Sequence, residues 1–426
     1  KMKINVLIIG SGGREHALAW KLAQSLRIGK LYVAPGNGGT HQIAENVSID
    51  ATDIEGLIQF AEKNEISLTV VGPDDPLALG VVDAFRSRGL RIFGPTRATA
   101  EIESSKAFAK NLMSEASIPT ATFKIFSEYD KALSYVRKRG VPIVVKASGL
   151  ALGKGVYVCK TLAEAEVALK EIMVDNVHKE DGSEVVIEEF LDGQEISIHA
   201  LCDGKTFVLL PPAQDHKPIH DNDEGKNTGG MGTIAPLSWV STDTLKIISD
   251  QIVRPTLEAL TKCGRPFTGL LYPGLKITSS GLKVLEFNAR FGDPETQSYM
   301  RLLKTDLLDI LEACVDGTLA ELAIEWHSGF AVCVVMASGG YPDEYRKGVP
   351  LRGVAEAECV SNVVVFHAGT IFENELKTSG GRVLGVSATG NTLRDALNSA
   401  YEAAQLIQFE GMQYRSDIGA KALSIV

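Results

Sequence analysis

The stretch Leu282-Lys283-Val284-Leu285-Glu286-Phe287-Asn288-Ala289-Arg290 reads as a strand whose alternation puts Glu286, Asn288 and Arg290 on one face, with Leu285 and Phe287 on the other. Carboxylate and amide oxygens are the hard donors that Mg2+ takes when it also holds nucleotide phosphates. A guanidinium beside them can fork onto a carboxylate or phosphate. Alone, this could be the polar outer face of a half-exposed strand, but Phe291-Gly292-Asp293-Pro294-Glu295-Thr296 follows directly and favours a site. A second element, Val144-Val145-Lys146, ends on a lysine and feeds the glycine-rich run from Gly149 through Gly153, Lys154 and Gly155. Such a loop can wrap a polyphosphate with backbone N–H groups while lysines neutralise its charge. It is not a Walker A loop, because Gly155 stands where Ser or Thr is required.

Two further stretches are acidic or glycine-rich. In Val186 to Glu195 one strand ends and another begins, so the connection can pair its backbone with an adenine edge, with Glu188 accepting from an amino group and Glu195 binding ribose hydroxyls. Asp215-His216-Lys217, His220 to Asp223 and Asn227-Thr228-Gly229-Gly230-Met231-Gly232 form a charged and then glycine-rich run. A solvated loop is the ordinary reading of such a run. The closely spaced amides from Thr228 to Gly232 also suit a substrate anion or carbonyl. At the start of the chain, Gly10-Ser11-Gly12-Gly13-Arg14-Glu15-His16 invites a dinucleotide reading, but the third glycine of that fingerprint falls on Glu15. Ala34-Pro35-Gly36 stands where an acidic ribose reader belongs, so a single phosphate is expected, held by Arg14 and the helix N-terminus. His16 is expected to pack or cap.

These residues need elements to carry them. Residues 1–103 alternate strands (Val6 to Ile9, Lys30 to Ala34, Ser67 to Val71) with helices (Glu15 to Leu26, Ile54 to Glu62), the pattern of a Rossmann-like parallel sheet. The turns at Gly10 to Gly13, Pro35 to Gly39 and Gly72 to Pro76 all follow strands, so they gather at the carboxyl edge, where one site could use all three. A helical connection is expected over 104–121, a small α+β lid over 122–190, and a central unit with antiparallel strands over 191–327. The strands there are Ile196 to Cys202, Leu270 to Ile277 and Leu282 to Arg290, with a helix from Thr242 to Thr261. A small α/β unit over 328–426 completes a multidomain α/β and α+β chain, with strands Ala331 to Met336 and Val363 to His367 and a helix from Leu393 to Leu406.

Composition narrows the class. The 426 residues carry a net charge of −10, which argues against a nucleic-acid binder. Six scattered cysteines without a C-x-x-C pair argue against a zinc site or a disulfide framework and fit a reducing cytoplasm. The apolar start Ile4 to Ile9 is too short for a signal peptide. Ser328 to Pro342 falls short of a membrane span and is expected to be a buried strand.

The lysine strand, glycine loop, acidic connector and Glu-x-Asn strand occur in the order used by ATP-grasp enzymes, and over its whole length the sequence resembles the glycinamide ribonucleotide synthetase family. The matching strings include Gly10 to Ala17, Pro35 to Thr40, Ser105-Lys106, Asp215 to Lys217, Asn227 to Gly232, Glu286 to Thr296 and Lys377 to Leu384. The resemblance implies that ATP is bound by Lys106, Lys146, Gly153, Lys154, Gly155, Glu188, Phe190 and Glu195, with Mg2+ or Mn2+ on Glu286 and Asn288. It places phosphoribosylamine against Gly12, Gly13, Arg14, Asn37, Gly38, Asp74 and Asp75. Glycine and its acyl phosphate would lie among Asp215, Lys217, Thr228, Gly229, Gly230, Met231, Arg290, Asp293 and Pro294, with Asp215, Lys217 and Arg290 catalytic. The implied enzyme works as a cytoplasmic monomer on small molecules, with at most transient contact to neighbouring pathway enzymes and none to nucleic acid or membrane. Asn222 and Lys226 stand where Gly and Pro are expected, Pro273 interrupts a strand, and Leu270 to Ile277 supplies no carboxylate to the metal. The competing readings are another ATP-grasp ligase or carboxylase, a nicotinamide oxidoreductase and a non-catalytic nucleotide binder.

Overall fold

The computed structural model describes residues 3–150, 155–177 and 184–425. Its first sheet is wholly parallel, in the order Glu45–Asn46, Ile28–Pro35, Ile4–Gly10, Ile66–Val71, Ile92–Phe93. The run Val6 to Ile9 explains why the first strand is central: Val6 and Ile8 enter one core with Leu18 and Leu22, while Leu7 and Ile9 enter another with Leu57 and Phe85. A strand covered on both faces is apolar throughout, as parallel sheets require. The following helix spans Gly13–Leu22 and stops short of the expected Leu26, which is 91% exposed. Ser25 ends the run by donating to Asp306 Oδ2 and accepting from the Arg27 amide.

The expected lid is an antiparallel sheet, Phe123–Phe126, Val185–Glu189, Ile143–Ala147, Val156–Cys159, backed by helices Tyr129–Arg139 and Leu162–Met173 around a core of their own. Its strand Ile143–Ala147 is buried throughout, so the Lys146 side chain must find a partner inside the protein.

The central sheet is built on Thr268–Thr278, with Gly281–Asn288 along one edge and both Gln194–Ser197 and Ala200–Asp203 along the other. The single strand expected over Ile196 to Cys202 is therefore two, and the break leaves His199 buried between the rings of Tyr272 and Tyr299. Pro273 falls where the neighbour of the long strand changes from one of these to the other, and pairing continues through it. The expected helix Thr242 to Thr261 is Thr242–Ile248 and Arg254–Lys262, joined by a π turn at Ser249–Val253.

One sheet crosses the chain's sequence order. Gln214–Asp215, Gly232–Ala235, Phe330–Ala337, Arg382–Gly390 and Val363–His367 lie side by side, so strands from the charged, glycine-rich run join strands from the C-terminal region. The helix Leu393–Ala404 packs on this sheet through Ala396, Leu397 and Ala400. Asn222 adopts φ +62°, a left-handed conformation that asparagine tolerates better than most residues, which explains how it replaces a glycine. Lys226 pairs with Asp343 at 2.9 Å. Among the described residues no helix is long and apolar enough to cross a membrane.

Candidate active site

The sheets meet around a cavity of about 1170 Å³. It is lined by Arg14, Asp74, Lys106, Lys146, Glu188, Phe190, Glu195, Asp215, Lys217, Thr228, Gly229, Glu286, Asn288, Arg290 and Asp293, so most of the expected residues come together. A smaller cavity of about 680 Å³ is lined by Gly12, Asn37, Gly38 and residues of the C-terminal region such as Thr370 and Ser379. The two share Asp293 and Arg382, which lie 3.6 Å apart. The three N-terminal turns therefore do not line one cavity: Gly12 and the Pro35 to Gly38 turn face the smaller, while Asp74 faces the larger.

Gly281–Asn288 carries the metal candidates. Burial alone would push the Glu286 carboxyl up, but Lys217, Lys146, Lys106 and Arg290 outweigh it and hold the pKa below the usual value. No hydrogen bond or ion pair engages this carboxylate among the described residues, so a charged oxygen pair is left facing the cavity. Asn288 Oδ1 accepts from Arg290 Nη2 at 3.1 Å and keeps a second lone pair. Among the described residues no group of three His, Cys, Asp or Glu could hold a metal. Two hard oxygens beside lysines fit a small divalent cation whose other ligands are phosphate and water.

Arg290 lies just beyond the strand end rather than within it. Its Nη2 is 2.8 Å from Glu103 Oε1, and Glu103 Oε2 accepts from the Ala289 amide at 2.6 Å. Burial pushes Glu103 up to about 7 against the opposing pull of Arg290. Lys217 Nζ is 3.0 Å from Asp215 Oδ2, and burial raises Asp215 to about 7 even though Lys217 pulls it down. Glu295, held below its usual value by Lys217 and His199 despite burial, accepts from Tyr272 Oη at 2.5 Å. One ammonium thus acts on two buried carboxylates: burial outweighs it at Asp215, and it outweighs burial, with His199, at Glu295.

Several expected contacts are different in the structure. Glu188 does not offer a free carboxylate to an adenine amino group, because its oxygens lie 3.0 Å from Lys110 Nζ and 3.0 Å from Lys146 Nζ. The amides expected to bind an anion are engaged internally: Thr228 N donates to Lys217 O, Gly229 N to Tyr341 Oη, Gly230 N to Thr228 Oγ1 and Met231 N to His216 O. Met231 is fully buried with Ile219 and Ala337. Gly230, at φ +125°, is required because a Cβ would lie 2.6 Å from Asp215 Oδ1. Arg14 turns inward, donating to Glu15 Oε1 at 2.7 Å and Phe291 O at 3.1 Å, while Glu15 Oε2 takes the Gly12 amide. Asp293 also accepts from the Arg14 amide at 3.4 Å, so this helix N-terminus already faces two carboxylates and is a poor phosphate seat.

Gly13, Asp75, Gly155, Gly230, Met231 and Pro294 line neither cavity, and Gly153 and Lys154 lie outside the described residues. Pro294 instead takes a hydrogen bond from Thr233 Oγ1 on its carbonyl. Lys106 Nζ donates to Gly149 O at 2.7 Å. Glu195 lies 3.6 Å from Lys276, whose ammonium stands 5.5 Å from the Phe190 ring. His16 packs as expected, buried against Phe366 and accepting from the His367 amide. Sequence reasoning missed Glu103 and Lys110 and gave no role to Glu295 and Arg382, which stood only within the matching strings; a signal existed for Lys110, one helical turn beyond Lys106.

Comparison with known proteins gives the same outline. Three family models match: the N domain of phosphoribosylglycinamide synthetase over residues 4–103, its ATP-grasp (A) domain over 104–296 and its C domain over 331–421. Phosphoribosylamine–glycine ligase of Rhodopirellula baltica is 48% identical over 99% of this chain and 98% of its own length. That of Synechocystis is 49% identical over 99% and 100%. The crystal structure of phosphoribosylamine–glycine ligase from Thermotoga maritima superposes with a TM-score of 0.85 at 34% identity, covering 97% of this chain and 100% of that one. N5-carboxyaminoimidazole ribonucleotide synthetase from Thermotoga maritima, at 20% identity and a TM-score of 0.62, shares the fold.

Proposed function

Because the chain belongs to the phosphoribosylglycinamide synthetase family, it joins glycine to 5-phosphoribosylamine at the expense of ATP in purine biosynthesis, and we propose that the two adjoining cavities divide that work. The observation that carries this reading is the shared wall, Asp293 with Arg382, between the lysine-rich cavity and the one lined by the N-terminal glycine turns. Nucleotide occupies the larger cavity, its phosphates met by Lys106 and Lys146 and its adenosine by Phe190 and Glu195. Phosphoribosylamine enters the smaller, beside Gly12, Asn37 and Gly38.

The reaction runs through glycyl phosphate. The glycine carboxylate attacks the γ-phosphorus and ADP leaves; the amine of phosphoribosylamine then attacks the acyl carbon and expels phosphate, giving glycinamide ribonucleotide. Arg290 and Lys217 orient the glycine carboxylate and meet the charge that builds on the transferring group, and Asp215 accepts from the glycine ammonium. Glu103, 2.8 Å from Arg290 Nη2, holds that guanidinium in place. Glu286 and Asn288 hold the divalent cation, Mg2+ or Mn2+. When bound, it neutralises phosphate charge during phosphoryl transfer. Fixed positions supply proximity, and no protein nucleophile is needed.

We place the enzyme in the cytoplasm, a reading that its six unpaired cysteines support. The test is ADP release in the presence of freshly generated phosphoribosylamine, glycine and Mg2+. Release is expected to require all three, and ADP formed at an equal rate without glycine or without the amine refutes the assignment.

A further inference from the structure

Lys110 is left over by the roles above, yet its side chain is 3% exposed and its ammonium lies 3.0 Å from Glu188 Oε1. The other Glu188 oxygen lies 3.0 Å from the ammonium of Lys146, which also donates to Leu285 O at 3.0 Å, beside Glu286. Lys110 is anchored on its far side by donation to Thr120 Oγ1 at 2.6 Å, and Thr120 in turn donates to Val284 O at 2.6 Å. The helix Lys106–Glu115, two strands of the 123–189 sheet and the strand Gly281–Asn288 therefore meet at three buried charges.

The charge count gives this arrangement a use. Lys146 and Glu188 alone would be neutral, and a phosphate drawing Lys146 away would leave a buried carboxylate without a partner, which is strongly unfavourable. With Lys110 present the set carries one net positive charge, and Glu188 stays paired when Lys146 moves. We propose that Lys110 is a positioning residue that neutralises Glu188 so that Lys146 can give its charge to the phosphates of ATP. Burial lowers the Lys110 pKa to about 8 against the pull of Glu188, so the ammonium persists at neutral pH.

The proposal rests on the reading that Lys146 meets ATP, and the test separates the two. In Lys110→Met the KM for ATP is expected to rise about tenfold or more, while kcat and the KM for glycine stay within about threefold. The double variant Lys110→Met with Glu188→Gln restores one net positive charge and is expected to return the KM for ATP to within about threefold of the unaltered enzyme. A single variant with an unchanged KM for ATP overturns the proposal, as does a double variant no better than the single; a purely structural Lys110 would give either result. If Lys110→Met does not fold, the double variant carries the test, and a tenfold raised KM in it is the overturning result. Lys146→Met reports on the parent reading alone: an unmoved KM for ATP would remove Lys146 from the nucleotide site whatever Lys110 does.

Discussion

Replacing Lys217 by Met removes the one ammonium shared by Asp215 and Glu295, and its cost follows from the geometry. At the observed 3.0 Å, and with an effective dielectric constant of about 20, the Lys217–Asp215 attraction is about 5.5 kcal/mol. Relaxation and proton uptake reduce what is realised to about 3–5 kcal/mol, the usual cost of breaking a buried pair from one side. With an unfolding entropy of about 2.1 cal/mol/K per residue, the 426-residue chain has about 0.9 kcal/mol/K, so Tm falls by about 3–6 °C at pH 8.5. The pH dependence has a definite sign. Asp215 titrates near 7 in the folded protein, above its unfolded value of about 3.9, so its favourable contribution is complete below the unfolded value and is lost as pH rises through 7. Without Lys217 the folded pKa is higher still, and the loss continues to higher pH. At pH 5.5 Asp215 is protonated with or without Lys217, so the drop in Tm should be smaller there by at least about 2 °C. Calorimetry at pH 5.5 and 8.5 measures both numbers. An equal drop at the two pH values, or none at pH 8.5, refutes the shared-ammonium account.

Glu286→Gln should lower kcat by about 10²–10³-fold, comparable to losing one preorganised electrostatic contact, and raise the metal concentration needed for half activity; near-normal turnover at ordinary Mg2+ would take Glu286 out of the metal site. Gly38→Ala puts a Cβ 2.8 Å from Thr370 Oγ1 and 2.9 Å from Leu376 Cδ1, so Thr370, which lines the smaller cavity, and Leu376 must shift. The KM for phosphoribosylamine should then rise while that for ATP holds, and the reverse pattern in steady-state kinetics would exchange the two cavities. Arg415, 2% exposed, pairs with Asp223 at 2.9 Å and Asp417 at 2.8 Å, so Arg415→Met should cost about 3–5 kcal/mol, read as a lower Tm; an unchanged Tm would mean the C-terminal tie to the Pro218–Asn227 hairpin carries no stability.

The fold was legible where burial repeats with the period of the element. Val6 to Ile9 and Val332 to Met336 announce strands because every residue in them is enclosed. Glu286 and Asn288 were legible because two-residue spacing fixes a common strand face. The surroundings of Glu188 were not legible, because Lys110 and Lys146 reach its carboxylate from a separate helix and strand, and sequence spacing carries no information about that meeting. The amides of Thr228 to Met231 looked available because glycine-rich composition reports conformational freedom, not hydrogen-bond partners, and here the partners are internal. Arg14 was assigned by proximity to a helix start, whereas the neighbouring Glu15 already fills that start.

The sheet that unites Gln214–Asp215 and Gly232–Ala235 with Phe330–Ala337 and Arg382–Gly390 limits how this enzyme can be cut or recombined. A fragment ending near residue 327 would keep Asp215 in sequence but expose Gly232–Ala235 as a bare edge, with unpaired N–H and C=O groups ready to join another chain. A chimera fused at the same place would set Asp215 of one parent on a strand register chosen by the other. Any exchange of the C-terminal region therefore has to carry the Asp215 to Ala235 segment with it, and substitutions on the two sides of that seam should be inherited together.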